Sequence, residues 1–214
     1  MTENSLCSQS DGKKIFSEFL SEKFTDTTLP EKFEILTKLY SEVNGIINIS
    51  ALREQNDIYI KHYLDSIYPY SYFVGECCDV GCGGGFPCIP LAMVTNLKFT
   101  GIDGVGKKLA LINKCKDELN INITPLHARS EDLARKNVKF DTVCARAVAE
   151  TDKVFGYCAP LVNKNGKLIL YKSQNDSPVK SELSKKLGFT LCELVDYTLP
   201  KTDIKRRLLI YEKI

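Results

Sequence analysis

Residues 79–87, Asp79-Val80-Gly81-Cys82-Gly83-Gly84-Gly85-Phe86-Pro87, decide how this 214-residue chain is read. Four glycines in the five positions 81–85 permit a tight turn and let a ligand approach the backbone with no side chain in the way. A short strand ending in an acid precedes them, and Pro87 suits the first turn of a helix. Strand, glycine loop and helix N-terminus, in that order, make the cradle of a nucleotide-type ligand at the edge of a parallel sheet.

Two ligands compete for that cradle. A dinucleotide fingerprint, Gly-x-Gly-x-x-Gly, needs its last glycine for close helix–strand packing, and Phe86 stands there instead. Asp79 would sit badly beside a pyrophosphate but suits the cationic amino-acid end of S-adenosylmethionine. The pattern acid-x-Gly-x-Gly-x-Gly resembles motif I of class I methyltransferases, so S-adenosylmethionine is the favoured ligand. A nicotinamide or flavin nucleotide, or a plain structural turn, are the alternatives.

Outward from the loop, strand and helix signals alternate. Strands are predicted at Cys77–Val80, Lys98–Asp103, Ile123–His127, Phe140–Ala145 and Gly166–Lys172. Between the second and third, Val105, Leu109, Ile112, Cys115 and Leu119 line one face of a helix. Such alternation argues for a parallel sheet covered by helices. The last two strands, near Thr190–Tyr197 and Arg207–Glu212, have only a turn between them, which demands an antiparallel pair.

Upstream, Thr28-x-x-Glu31 reads as a capping box ahead of a helix carrying Phe33, Leu36, Tyr40, Val43 and Ile47. Asn44-Gly45 weakens that helix near its end. An earlier helix runs through Ile15, Phe19 and Leu20. A later one, residues 56–68, puts Ile60, Tyr63, Leu64 and Ile67 on one face. The expected layout is a helical extension over residues 1–70 and one compact α/β domain over 71–214. Its Rossmann-like sheet would have seven strands, mostly parallel, and end in an antiparallel hairpin.

Composition fits a single domain: 43% hydrophobic and 26% charged residues. No apolar run approaches the roughly 18 residues of a membrane span. The polar start, Met1 to Asp11, lacks the basic-then-apolar layout of a signal peptide. A cytoplasmic protein is expected. Nine cysteines in such a chain read as free thiols. Cys77, Cys78, Cys82 and Cys88 cluster at the loop, but no Cys-x-x-Cys pair occurs, and adjacent strand residues point to opposite faces, so no metal is expected. Residues 1–60 carry 6 basic and 10 acidic groups; the other 154 carry 23 and 17, completing totals of 29 and 27. The basic excess lies with the glycine loop, which permits a nucleic-acid partner without demanding one.

Ligands of open parallel sheets bind at the carboxyl ends of the strands. The second strand ends at Asp103, 18 residues past Gly85, near the spacing of about 20 at which an acid reaches ribose hydroxyls; a solvated loop acid is the alternative. After the third come Ser130 and Glu131, where an adenine would lie, although Ser130 could simply cap a short helix. The fourth ends in Cys144-Ala145-Arg146. Cys144 reads as a core residue, whereas Arg146 is a permanent cation able to hold phosphate or a base edge, or to make a structural ion pair. No Asp/Asn-Pro-Pro-aromatic tetrapeptide of amino-group methylation is present.

The ordered set Asn48-Ile49-Ser50-Ala51, Lys61-His62-Tyr63-Leu64-Asp65-Ser66, Gly85-Phe86-Pro87-Cys88-Ile89-Pro90 and Ala145-Arg146-Ala147 resembles the RsmG (GidB) family, from about Phe33 to the C-terminus. The resemblance implies S-adenosylmethionine-dependent methylation of guanine N7 in bacterial 16S ribosomal RNA. It places cofactor contacts on Gly81, Phe86, Ser130, Glu131 and Arg146, to which the loop and spacing arguments add Gly83 and Asp103. The chain departs from the family in Asp103-Gly104, Lys107-Lys108, Lys61 and Tyr171-Lys172-Ser173, where lysine replaces arginine or the neighbouring residues differ. Guanine N7 bears a lone pair and no proton, so no general base is needed and no catalytic residue is singled out.

His62 and Asp65, three apart, share a helix face that should border the reaction pocket, with His62 touching cofactor or RNA; a surface hydrogen-bonded pair is the alternative. The turn after the sixth strand should emerge at the cofactor edge, crowded by Lys201, Lys205, Arg206 and Arg207 beside Lys172, with Lys201 and Lys205 expected to make phosphate contacts, unless it is an ordinary solvated turn. The partner would be 16S ribosomal RNA or the small-subunit particle, met by a monomer.

Overall fold

A computed structural model describes residues 11–146 and 149–214. The polar start of the chain, up to Ser10, and Ala147 of the arginine motif lie outside them. Seven strands form one sheet: β1 (Cys77–Val80), β2 (Phe99–Asp103), β3 (Ile123–His127), β4 (Phe140–Arg146), β5 (Val162–Ser173), β6 (Phe189–Thr198) and β7 (Lys205–Lys213). Their order is β3-β2-β1-β4-β5-β7-β6. The first five are mutually parallel, β7 runs antiparallel to β5, and β6 antiparallel to β7. Two reversals restore direction, so β6 runs with the parallel strands and its turn opens on their carboxyl edge. Strand β5 starts four residues earlier than Gly166 because a register shift between Phe140 and Thr142 lets Val162 pair with Phe140.

Alternation along the strands feeds two cores. On β1, Cys77 joins one and Cys78 the other; on β7, Leu208 and Ile210 join the first, Leu209 and Tyr211 the second. The first core holds the helices α1 (Asp11–Lys23) and α2 (Leu29–Ile47) as well as α5 (Cys88–Thr95) and α6 (Ala110–Glu118). The upstream helices therefore share one continuous core with the sheet: Phe16 and Phe33, ring centroids 4.6 Å apart, belong with Phe99 and Ile169. The second face is covered by α7 (Ser130–Arg135), α8 (Thr151–Cys158) and α9 (Ser181–Lys186).

Three local expectations fail for identifiable reasons. Thr28 does not cap α2: its N–H and hydroxyl both donate to Asp26 Oδ1, at 2.9 and 2.6 Å, in a competing turn. Val105 is exposed, because a 3-10 turn over Gly106–Leu109 precedes α6 and rotates it off the apolar stripe. Ser130 is the first residue of α7 rather than its cap. The cap position belongs to Arg129, whose N–H donates to Asp132.

The predicted helix over residues 56–68 is present but is not a regular α-helix. Its α turns α3 (Gln55–Asp57) and α4 (Asp65–Ile67) flank a π-helical segment, Ile58–Leu64. The Asp65 N–H reaches back five residues to the Ile60 carbonyl. Ile60, Tyr63, Leu64 and Ile67 are all buried, as their spacing predicts.

Candidate active site

The glycine loop is built by backbone. Gly81 and Cys82 N–H groups donate to the Ile102 carbonyl at 2.9 and 3.0 Å, which turns the chain back over β2. Gly83 has φ +54°, and a Cβ built there would meet nothing within 4 Å, so that side of the loop is open. Gly85, at φ +94°, differs: a Cβ would run into Ile89 and Ile112, which makes this glycine the packing contact with α5 and α6. Asp103 pins the loop, its Oδ2 accepting from Gly83 N–H at 3.0 Å and its Oδ1 from Val105 N–H at 2.8 Å. Gly81, Asp103, Lys108, Ser130, Glu131 and Tyr157 line a cavity of about 370 Å³ beside the loop.

Asp79 lies behind this cavity rather than in its wall. It is fully buried, and burial raises its carboxyl to about 6. Its Oδ2 accepts from Cys88 N–H at 3.2 Å, tying the strand to the start of α5, while Oδ1 has no partner among the described residues. An open Gly83, carboxylate lone pairs at the lip and a buried acid with one unpartnered oxygen suit a ligand with a ribose diol and a cationic end. S-adenosylmethionine fits those residues.

A second cavity, of about 640 Å³, opens at the same edge across β4. Asp65, nearly buried, accepts from Arg206 Nε at 3.1 and 3.2 Å and faces Arg146 Nη1 at 3.5 Å. Arg146 also donates to the Lys61 carbonyl at 3.1 Å, lies 3.3 Å from His62 Nδ1, and sits over the Phe86 ring. The His62 imidazole stacks on Phe86, centroids 4.2 Å apart and planes 7° from parallel. Burial, and secondarily Arg146, pull this histidine down to about 3. Lys172 donates to the Ala149 carbonyl at 2.8 Å, and its partial burial lowers its ammonium from the usual lysine range.

Four of the seven expected cofactor residues, Gly81, Asp103, Ser130 and Glu131, line the first cavity; Gly83 does not, although its N–H is held by Asp103 of that lining. Arg146 stands in the second cavity, and Phe86 lines neither, being packed between Tyr40, Tyr63 and His62. His62 and Lys172 do line the second. Lys201 and Lys205 do not: Lys201 turns away to pair with Glu18 on α1, and Lys205 is exposed at the start of β7. Instead Arg206 reaches the pocket. Strand alternation held that signal, since Arg206 shares its face with Leu208 and Ile210, toward Asp65, while Arg207 faces Asp196 on the other side. His62 and Asp65 form no pair with each other; each serves an arginine. Tyr157 of α8 had no legible signal, because it stands off the buried stripe of Val154, Phe155 and Cys158.

Among the described residues no group of three or more His, Cys, Asp or Glu is arranged to hold a metal ion, and no helix is long and apolar enough to cross a membrane.

A sheet of parallel strands with only β7 reversed, and its glycine loop following β1 in the interior of the sheet, is the architecture of S-adenosylmethionine-dependent methyltransferases. The solved structure of magnesium protoporphyrin IX methyltransferase from Synechocystis PCC 6803, with bound S-adenosylmethionine, shares it. Its TM-score is 0.57, over 95% of this chain and 98% of that one, at 19% identity. Within that class the chain belongs to the GidB family, rRNA small subunit methyltransferase G, whose model matches residues 30–210. A ribosomal RNA small subunit methyltransferase G of Lactobacillus helveticus is 35% identical over 198 residues, covering 86% of this chain and 82% of the relative. One of Lachnoclostridium phytofermentans is 37% identical over 199 residues, covering 86% and 81%.

Proposed function

We propose that the protein transfers the methyl group of S-adenosylmethionine to N7 of a guanine in bacterial 16S ribosomal RNA. The observation that carries this reading is the pairing of two cavities at one sheet edge: a backbone cradle for the cofactor, and beside it a cationic pocket lined by His62, Arg146, Lys172 and Arg206. Bound S-adenosylmethionine supplies a methyl carbon activated by its sulfonium. Transfer breaks that carbon–sulfur bond, forms the N7–carbon bond and moves one positive charge to the purine. Asp103, Ser130 and Glu131 hold the nucleoside end, and the Gly81–Gly85 backbone fixes the direction of the methyl. Arg146 and Arg206, held on Asp65, with Lys172 receive the base edge and flanking phosphates. Rate then comes from alignment of the reacting atoms and from fixed charges around them. No proton leaves N7, which agrees with a pocket whose one histidine is engaged by protein groups at both nitrogens. A monomer acting in the cytoplasm on the RNA or on a small-subunit particle is part of this proposal, as is phosphate contact by Lys201 and Lys205 outside the pocket.

The test is to map 16S ribosomal RNA from cells with and without the gene by borohydride reduction and aniline cleavage, which cut at 7-methylguanine. Loss of one cut, restored by the purified protein with S-adenosylmethionine, is expected. An unchanged cleavage pattern overturns the reading.

A further inference from the structure

The mechanism just described leaves the pocket's histidine without a chemical task, yet His62 is the residue on which three segments distant in sequence meet. Its ring lies flat on Phe86, at the exit of the glycine loop. Its Nδ1 is 3.3 Å from Arg146 Nη2, at the carboxyl end of β4. Its Nε2 is 3.1 Å from Ser50 Oγ, in the connection after α2, and 3.5 Å from the Tyr40 hydroxyl of α2. A guanidinium has donors only, so the nitrogen facing it must present a lone pair. That assigns the proton to Nε2, pointed at the Ser50 hydroxyl, and leaves the ring neutral. The charged groups around it are Arg146, Asp65 against Arg146, and Lys61, which is paired to Asp57 at 2.7 Å. A second proton would have to go on Nδ1, straight at the guanidinium. Burial works in the same direction.

We propose that His62 is a positioning residue: as a neutral Nε2–H imidazole it holds the Arg146 guanidinium through the Nδ1 lone pair and braces the cofactor loop through Phe86. One side chain thereby sets the spacing between the cation that receives the base and the loop that aims the methyl. Because Phe86 and Arg146 are both cofactor contacts by the family resemblance, loss of the ring should lower cofactor affinity as well as turnover. It also predicts a role insensitive to pH across the range in which a free histidine titrates. The inference rests on the proposed function for its kinetic part only.

The test separates the two functions of the ring. Asparagine places its amide oxygen where Nδ1 stands and keeps the acceptor; phenylalanine keeps the stack and loses it. In methyl transfer to 16S ribosomal RNA, His62→Phe should lose about tenfold or more in kcat, the scale of a displaced positioning group. His62→Asn keeps the acceptor but loses the brace, and should fall between wild type and His62→Phe in kcat and in S-adenosylmethionine affinity alike. Independently of any RNA, long-range 15N–1H spectra of the wild-type imidazole should show the Nε2–H tautomer unchanged from pH 8 to pH 5. An imidazole that titrates in that window, an Nδ1–H tautomer, or an Asn variant as slow as the Phe variant overturns the proposal. If the wild-type protein methylates no ribosomal RNA, the proposed function fails, and the spectra still decide the tautomer.

Discussion

The cofactor cavity and the cationic pocket share a sheet edge but are assembled in opposite ways. The first is made largely by main chain over residues 81–85, with acids at the ends of adjacent strands; its critical distances are N–H to carbonyl or carboxylate. The second is made by side chains, among them those of Lys61, His62, Asp65, Arg146, Lys172 and Arg206, with the two arginines converging on the buried Asp65 carboxylate. A backbone site tolerates change everywhere except where a side chain would appear in empty space. A side-chain site is sensitive where its charges are shared, because Arg146 and Arg206 lean on the single carboxylate of Asp65.

The hardest blow to that contrast is Gly83→Val. A β-branched residue at φ +54° costs about 1–2 kcal/mol of strain, which the fold should survive, but its methyls enter the open side of the loop. Calorimetry should detect no cofactor binding by a folded variant, and wild-type affinity would show that the backbone does not form the cradle. On the other side, Asp65→Ala leaves two arginines facing each other. Urea unfolding should report a loss of about 3 kcal/mol, the low end for broken buried pairs because Arg206 keeps 28% of its side chain exposed. A negligible loss would mean that the arginines are solvated independently.

Asp79 extends the comparison to charge burial beneath the cradle. Its carboxyl is raised to about 6 in the fold, so the native state takes up the proton first as pH falls. Its contribution to stability is fully present below the unfolded value near 4 and is lost as pH rises through 6. Measured against Asp79→Asn, which does not titrate, wild-type stability should gain at most about 3 kcal/mol between pH 7 and pH 4. A flat difference would place the acid in a solvated setting. Asp103→Ala should weaken cofactor binding by about 1.5–3 kcal/mol, the range for charge-assisted hydrogen bonds, with an unchanged dissociation constant returning Asp103 to a loop-pinning role alone. The smallest effect belongs to Lys201 and Lys205. Replacing both with alanine should flatten the salt dependence of RNA binding by about one unit per lost contact and spare cofactor affinity. An unaltered slope would confine the RNA to the pocket and its rim.

The same contrast explains what was legible in the sequence. All seven strands, the hairpin and the glycine loop follow from periodicity, turn length and residue type, which act over a few positions. Asp103 was found by spacing because the chain between it and the loop is one helix and one strand. The pairing of Asp65 with Arg206, 141 residues away, has no local signature and appears only when β7 is seated next to β5. Arg146 and Phe86 were expected at the cofactor; Arg146 lines the neighbouring pocket and Phe86 is buried against His62, contacts that depend on how the upstream helices seat on the sheet. Thr28 and Val105 were misread where a turn competes with the helix start, a contest between alternatives of nearly equal energy.

The π-helical segment bearing Lys61 and His62 has a consequence for how this protein can vary over time. The i→i+5 bond from Asp65 to Ile60 accommodates one residue more than an α turn would hold. Excising one residue between Ile58 and Leu64 would let the segment relax into an ordinary helix while leaving the turns on either side near their present register. Asp65 could keep facing Arg206 and Arg146, but the side chain lying against Phe86 would change, since His62 sits within the widened turn. A difference of one residue in length is thus a way to alter this pocket that spares the core on both flanks.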